Sequence, residues 1–359
     1  MKVFDLIGAA CVALMLSGCG GGDGASDSGA AVQTNTPTTS TKTAAAAPKV
    51  LLGYALGSTT SMASAMSAAT PVTAISVDVI RADANGSLNG TLPTALLSGN
   101  QAAGKLSYAC ITNHGASGFD ADIGHAALVT NRAATLQNIM ALARTPGLAG
   151  INIDFEGLYP ADRAAYSNFV ADLASQLHAI SSTLILSVPP KVADMVSNTW
   201  TWPYDFASLG QSADFLQVMT YDQHDSQGAP GPVAGLDWMQ GVLQYATSVV
   251  PAGKVLLGLP AYGYDWNRTA NTGVSVAFKD MQSLITATHA IAQWDSISQS
   301  AHFNYIATDG ATHEVWYETP QGLQAKAQLA NTLGLAGASV WVLGSEDANF
   351  WTGISAALK

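Results

Sequence analysis

From Val50 onward the chain alternates short runs of Val, Ile, Leu and Ala with longer stretches in which apolar residues recur every three or four positions. The short runs predict strands at 50–56, 74–80, 105–112, 150–156, 184–190, 214–222, 254–262 and 337–344. After the fourth, Pro160 can open a helix whose apolar stripe is Phe169, Leu173, Leu177 and Ile180. The stretches 236–250 and 322–334 read the same way, and Trp238 on the first of them is read as core packing. Apolar strands alternating with helices predict an α/β fold with a parallel sheet. Eight units over residues 49–359 fit a closed (β/α)8 TIM barrel, with an open doubly wound sheet as the alternative. The interval between the seventh and eighth strands is too long for one crossover helix. From about 267 to 319 it holds a helical piece at 279–291 and two strand-like runs, 302–307 and 313–318, around a TDGAT turn. This predicts a small α+β insertion forming one wall of the cleft.

One strand departs from the apolar rule. In GINIDFEG, residues 150–157, Ile151, Ile153 and Phe155 alternate with Asn152, Asp154 and Glu156. Side chains two apart on a strand share a face, so the polar residues form one column with its two carboxylates about 6–7 Å apart along the chain. Barrel active sites sit at the C-terminal ends of the strands, and Glu156 is the last residue of the predicted fourth strand.

Composition narrows what such a column can serve. The chain has 359 residues, 48% hydrophobic and 11% charged, with a net charge of −11. That is a large packed domain without the basic surface that a nucleic-acid partner needs. No GxGxxG, Walker-type loop or GxSxG elbow is present, and the seven histidines show no HExxH or paired ligand spacing. Neither a cofactor nor a metal is therefore expected. DANGSL at 83–88 reads as a turn. At the N-terminus, Lys2 precedes the apolar run Val3–Leu16, and LSGC at 16–19 resembles a bacterial lipoprotein cleavage box. The resemblance implies loss of residues 1–18, lipidation of Cys19, and an exported protein held at a membrane only by that lipid, in the periplasm or on the cell surface. Residues 19–48, rich in Gly, Ser, Thr and Ala, read as a flexible tether. Cys110 then remains alone in an apolar run, as a buried, inert thiol.

AGINIDFEG (149–157) resembles the fourth-strand signature of family-18 glycoside hydrolases, in the form found in cell-wall and spore-cortex lytic N-acetylglucosaminidases. QVMTYD (217–222) is similar to the family's sixth-strand motif. PGPVAGLDWM, KVLLGLPAYGYDW and GASVWVLG resemble later segments of that branch in the same order. The likeness implies that Glu156 is the general acid, that Asp154 orients the substrate's 2-acetamido group, and that Tyr221 hydrogen-bonds the acetamido oxygen. It implies substrate-assisted retaining hydrolysis, in which the acetamido carbonyl is the nucleophile. Trp341 corresponds to the floor under the reacting sugar, with Tyr54, Met219, Asp222, Trp266 and Asn152 as further substrate-binding candidates. His224 and Asp225, directly after the sixth strand, are cleft candidates from position alone. The implied partner is an oligosaccharide or polysaccharide of β-1,4-linked N-acetylglucosamine, either peptidoglycan and its fragments or chitin oligosaccharides, acted on by a monomer. Two residues depart from the family pattern. Ala149 stands at its usual first Asp, and Asn152 stands at its second, where it cannot exchange a proton with Asp154. A non-catalytic, lectin-like barrel is the alternative.

Overall fold

The computed structural model describes residues 48–358. The signal segment, the lipidation candidate Cys19 and the tether up to residue 47 lie outside the described residues. Among those described, eight parallel strands form a ring: Val50–Leu56, Ala74–Ala82, Leu106–Thr112, Gly150–Asp154, Thr183–Val188, Phe215–Val218, Val255–Pro260 and Gly337–Trp341. Each pairs with the next, and Val50–Gly53 pairs with Gly337–Val340 to close the ring. The fold is the expected (β/α)8 barrel, not an open sheet.

Alternation along the strands explains the two cores. Outward positions such as Ile75, Val77, Ile151, Ile153, Leu184 and Leu186 pack against the helices. Inward positions including Leu52, Ala74, Tyr108, Cys110, Ile185 and Leu256 form a separate cluster inside the barrel, which Ala149 joins at its edge. Helix Arg163–His178 buries Phe169, Leu173 and Leu177 as its period predicts. Ile180 does not belong to that stripe: the helix stops at His178, Ser181 takes a left-handed turn (φ 58°), and Ile180 is 38% exposed. Helices Leu236–Val249 and Pro320–Thr332 stand where expected, with Trp238 partly buried against the core.

Five strand ends, those of the fourth to eighth strands, and one boundary require correction. The fourth strand stops at Asp154 and the sixth at Val218, so Glu156 lies just beyond its strand, and Met219 to Asp222 lie beyond theirs. At Glu156 the main chain has left the ladder because the Asn113 side chain takes both its N–H and its C=O. The insertion begins at Tyr262, directly after the seventh strand, and its five strands form an antiparallel sheet beside helix Phe278–Thr288. Trp266 thereby belongs to the inserted sheet, within strand Tyr262–Asn267. A fully buried ion pair between Glu318 and Lys326, with Ser300 bonded to the ammonium, ties this sheet to helix Pro320–Thr332, which leads into the eighth strand.

Candidate active site

The inward residues change character toward the C-terminal strand ends. Tyr54, Ser76, Asn152, Ser187, Gln217 and Ser339 form a continuous hydrogen-bonded layer across the barrel. Ser76 donates to Asn152 Oδ1 (2.9 Å), Asn152 Nδ2 to Ser187 Oγ (3.1 Å), Tyr54 Oη to Gln217 Oε1 (3.2 Å), and Gln217 Nε2 to Ser339 Oγ (2.9 Å). The Tyr54 and Ser187 hydroxyls lie 3.0 Å apart and join the two halves. Asn152 is thus fully buried with both ends of its amide engaged, and it does not line the cavity. This corrects its assignment as a substrate contact: it belongs to the layer that supports the site.

Two residues further along each strand, this layer gives way to a cavity of about 650 Å³. Asp154, Glu156, Tyr221, Asp222, Met219 and Trp341 all line it, as does Tyr54 from below. Trp341 and Tyr54 pack ring against ring at 5.4 Å, giving a tilted aromatic floor. Trp266 is absent from the lining: it is 3% exposed, and its indole N–H is spent on the Asp225 carbonyl (3.0 Å). Asp225 does reach the cavity. His224 does not; its ring is bonded to the Ala229 carbonyl.

Local structure fixes the reacting groups. Asn113, fully buried after the third strand, accepts from the Glu156 N–H (2.8 Å) and donates to its carbonyl (2.8 Å), while Tyr204 Oη donates to the Phe155 carbonyl (2.9 Å). Gly157 follows in a left-handed conformation (φ 64°), turning the chain away once Glu156 has been presented. Tyr221 owes its place to Gly258, where a Cβ would stand 2.6 Å from the Tyr221 ring. Asp222 adopts φ 57°, a conformation rarely held by non-glycine residues, and is gripped by the hydroxyls of Tyr262 (2.6 Å) and Tyr264 (2.9 Å).

Electrostatics follow from placing several carboxylates in a partly dry space. Burial, and then the Asp78 charge, raise Asp154 to about 7. Burial, followed by the charges of Asp154, Asp222 and Asp78, holds Glu156 well above the ordinary glutamate range. A carboxyl kept protonated near neutral pH can give a proton to a leaving oxygen. Asp154 Oδ1 is buried without a hydrogen-bond donor among the described residues, so it is an acceptor free for a ligand's N–H. Cys110, inside the barrel, is pushed up by burial and by the charges of Asp78 and Asp154, as an inert thiol would be. Among the described residues no group of three or more His, Cys, Asp or Glu is arranged to hold a metal ion.

Several lining residues escaped the sequence reading. Asp78 and Arg81 come from the second strand, Thr112 from the third, and Trp200 from the segment after the fifth. The charge of Asp78 inside an apolar run, AISVDVI, was the one available signal.

Comparison with known proteins agrees with this geometry. The family model for Glycosyl hydrolases family 18 matches residues 114–346. An uncharacterized glycosylase of Bacillus subtilis (strain 168) is 37% identical over 320 residues, covering 88% of this chain and 93% of the relative. The cortical fragment-lytic enzyme of the same organism is 31% identical over 277 residues, 76% of this chain and 64% of that enzyme. The crystal structure of a chitinase from Chromobacterium violaceum ATCC 12472 superposes with a TM-score of 0.83 at 37% identity, covering 86% of this chain and 99% of the chitinase.

Proposed function

Because the chain belongs to glycosyl hydrolase family 18 and is a glycosidase, we propose that it cleaves β-1,4-linked N-acetylglucosamine glycans with retention, using the substrate's own acetamido group as nucleophile. The observation that carries this reading is the convergence of Glu156, Asp154 and Tyr221 on one cavity, with Asp154 Oδ1 buried and unpartnered among the described residues. Glu156 gives its proton to the glycosidic oxygen as the C1–O bond breaks. The acetamido carbonyl oxygen closes on C1 to form an oxazolinium ion, its N–H held by Asp154 and its oxygen steered by the Tyr221 hydroxyl. Water then attacks C1 as the bond between C1 and the acetamido oxygen breaks and the amide is restored, and the water's proton passes to the Glu156 carboxylate. Trp341 supplies the flat apolar surface under the reacting sugar.

The glycan is proposed to be peptidoglycan or its fragments, with chitin oligosaccharides as the other candidate. Relatives named as a cortical fragment-lytic enzyme and as a chitinase support both. A non-catalytic, lectin-like role is disfavoured by the joint presence of Glu156, Asp154 and Tyr221 in the cavity. Digestion of purified peptidoglycan and of chitin oligosaccharides, with mass analysis of products, tests the reading. Wild type should create new N-acetylglucosamine reducing ends, and Glu156→Gln should be slower by about 10²- to 10⁴-fold, the range for a lost general acid. Full activity in the variant would remove Glu156 from its role.

A further inference from the structure

The second barrel strand carries a positive charge into an otherwise acidic cavity. Its pairing with the third strand runs in register to Asp78 opposite Cys110, then slips, and resumes with Ile80 opposite Ile111 and Arg81 opposite Thr112. Val79 is the extra residue of this bulge, and one extra residue reverses the alternation of side chains. Ile80, which regular alternation would turn inward with Asp78, instead joins the outer core at 3% exposure. Arg81 falls on the cavity's side of the strand and lines the cavity while remaining exposed to solvent.

Burial raises the Asp78 carboxyl to about 6 and the Arg81 charge opposes that rise, yet Arg81 makes no direct ion pair among the described residues, where the arginine ion pairs belong to Arg132, Arg163 and Arg268. It is the one Lys or Arg among the residues lining the cavity. Neighbouring His114 is pushed toward its neutral form by burial and by Arg81, so it adds no charge of its own near neutral pH. The register sets Arg81, Thr112 and Asp154 side by side on three adjacent strands. Between the two charges, the Thr112 hydroxyl is buried and, among the described residues, unpartnered, as Asp154 Oδ1 is. A neutral glycan calls for no fixed positive charge here, whereas a carboxylate entering past Asp78, Asp222 and Asp225 would be repelled without one. Arginine keeps its charge at any working pH, and its planar fork matches a carboxylate.

We propose that Arg81, together with the Thr112 hydroxyl, forms a subsite for a carboxylate on a residue adjoining the reacting N-acetylglucosamine, and so selects the acidic glycan of peptidoglycan over neutral chitin. This rests on the glycan-cleaving reading of the cavity. The carboxylate has two possible sources, the lactyl ether of N-acetylmuramic acid and the peptide stem attached to it.

The test compares wild type, Arg81→Gln and Arg81→Lys on four glycans: peptide-bearing strands, peptide-free strands, peptide-free strands with the lactyl carboxyl reduced to an alcohol, and chitin oligosaccharides. Arg81→Gln should lower the ratio of kcat/KM for peptide-free acidic strands over chitin by about 10- to 100-fold, the scale of a lost charge-assisted hydrogen bond, mainly through KM. Arg81→Lys should recover part of it, and added salt should shrink the wild-type preference. Loss confined to peptide-bearing strands would identify the stem as the source and leave the subsite standing. A role limited to balancing Asp78 would change all substrates alike, and that result, or an unchanged ratio in every acidic case, would overturn the proposal. Calorimetric binding of N-acetylglucosaminyl-N-acetylmuramic acid separates the two readings. If Arg81→Gln weakens that binding but wild type cleaves no glycan, the glycosidase reading fails and the anion subsite survives.

Discussion

At the residue scale, the chemistry depends on carboxyl groups held where they resist ionisation. Asp154 is raised from the ordinary Asp value of about 3.9 to about 7 by burial and by Asp78. Between those two values the folded protein binds the proton more tightly than the unfolded chain, so stability falls as pH rises through that window. Asp154→Asn should therefore raise the melting temperature at pH 8 relative to wild type and change it little at pH 4. Thermal unfolding at the two pH values checks this, and an equal shift at both would contradict the assigned cause. The same substitution removes the largest of the neighbouring charges that raise Glu156, so the alkaline limb of any residual activity should move to lower pH. Asp154 and Glu156 were legible from the alternation of one strand, Tyr221 and Trp341 only through the family resemblance of their motifs, and all four line the cavity. Asn113 was not legible, since its grip on Glu156 joins positions 43 residues apart and depends on two side-chain-to-backbone bonds that no local pattern announces. Arg81 was hidden by the bulge at Val79, which inverts the face that simple alternation would assign.

Among the elements, all eight barrel strands were readable from their apolar runs, but the fourth, fifth, sixth, seventh and eighth ended earlier than those runs suggested. Past the ends of the fourth, fifth and sixth strands, Glu156, Pro189, Pro190, Met219, Tyr221 and Asp222 form part of the wall of the cavity. After Val218 the Thr220 hydroxyl caps the seventh strand, donating to the Gly258 carbonyl (2.7 Å) and accepting from its N–H (2.9 Å). Gly258 in turn leaves the space that the Tyr221 ring fills. Gly258→Ala would put a methyl 2.6 Å from that ring and 2.9 Å from the Val218 carbonyl, so something must shift. Displacing Tyr221 should cost about 100-fold in kcat/KM, the scale of an ångström-level misplacement in an active site, alongside the modest destabilisation of an overpacked core. Steady-state kinetics at matched folded fractions check it, and unchanged kcat/KM would mean that the Tyr221 position does not matter. The insertion boundary was misread for a related reason. Strand Tyr262–Asn267 follows the seventh strand so closely that one apolar stretch, KVLLGLPAYGYDW, spans two different sheets.

For the whole molecule, a closed barrel brings residues from the first, second, third, fourth, fifth, sixth and eighth strand regions to one mouth, and the inserted sheet adds the tyrosines that grip Asp222. No helix among the described residues is long and apolar enough to cross a membrane. Export and attachment through a lipid on Cys19 are proposed, and Cys19→Ser should then move the protein from the membrane pellet to the soluble fraction and abolish labelling by a radioactive fatty acid. Labelling that persisted would exclude that cysteine. The central chemical claim is that the sugar's own acetamido group attacks C1 while Glu156 donates the proton. Partially N-deacetylated strands, prepared from both peptidoglycan and chitin, test it most directly, by mass analysis of every new reducing end after digestion. Each new end should be N-acetylglucosamine, because a glucosamine in the reacting position has no carbonyl to close on C1. Glucosamine ends released at a comparable rate would contradict substrate assistance and require a nucleophile from the protein.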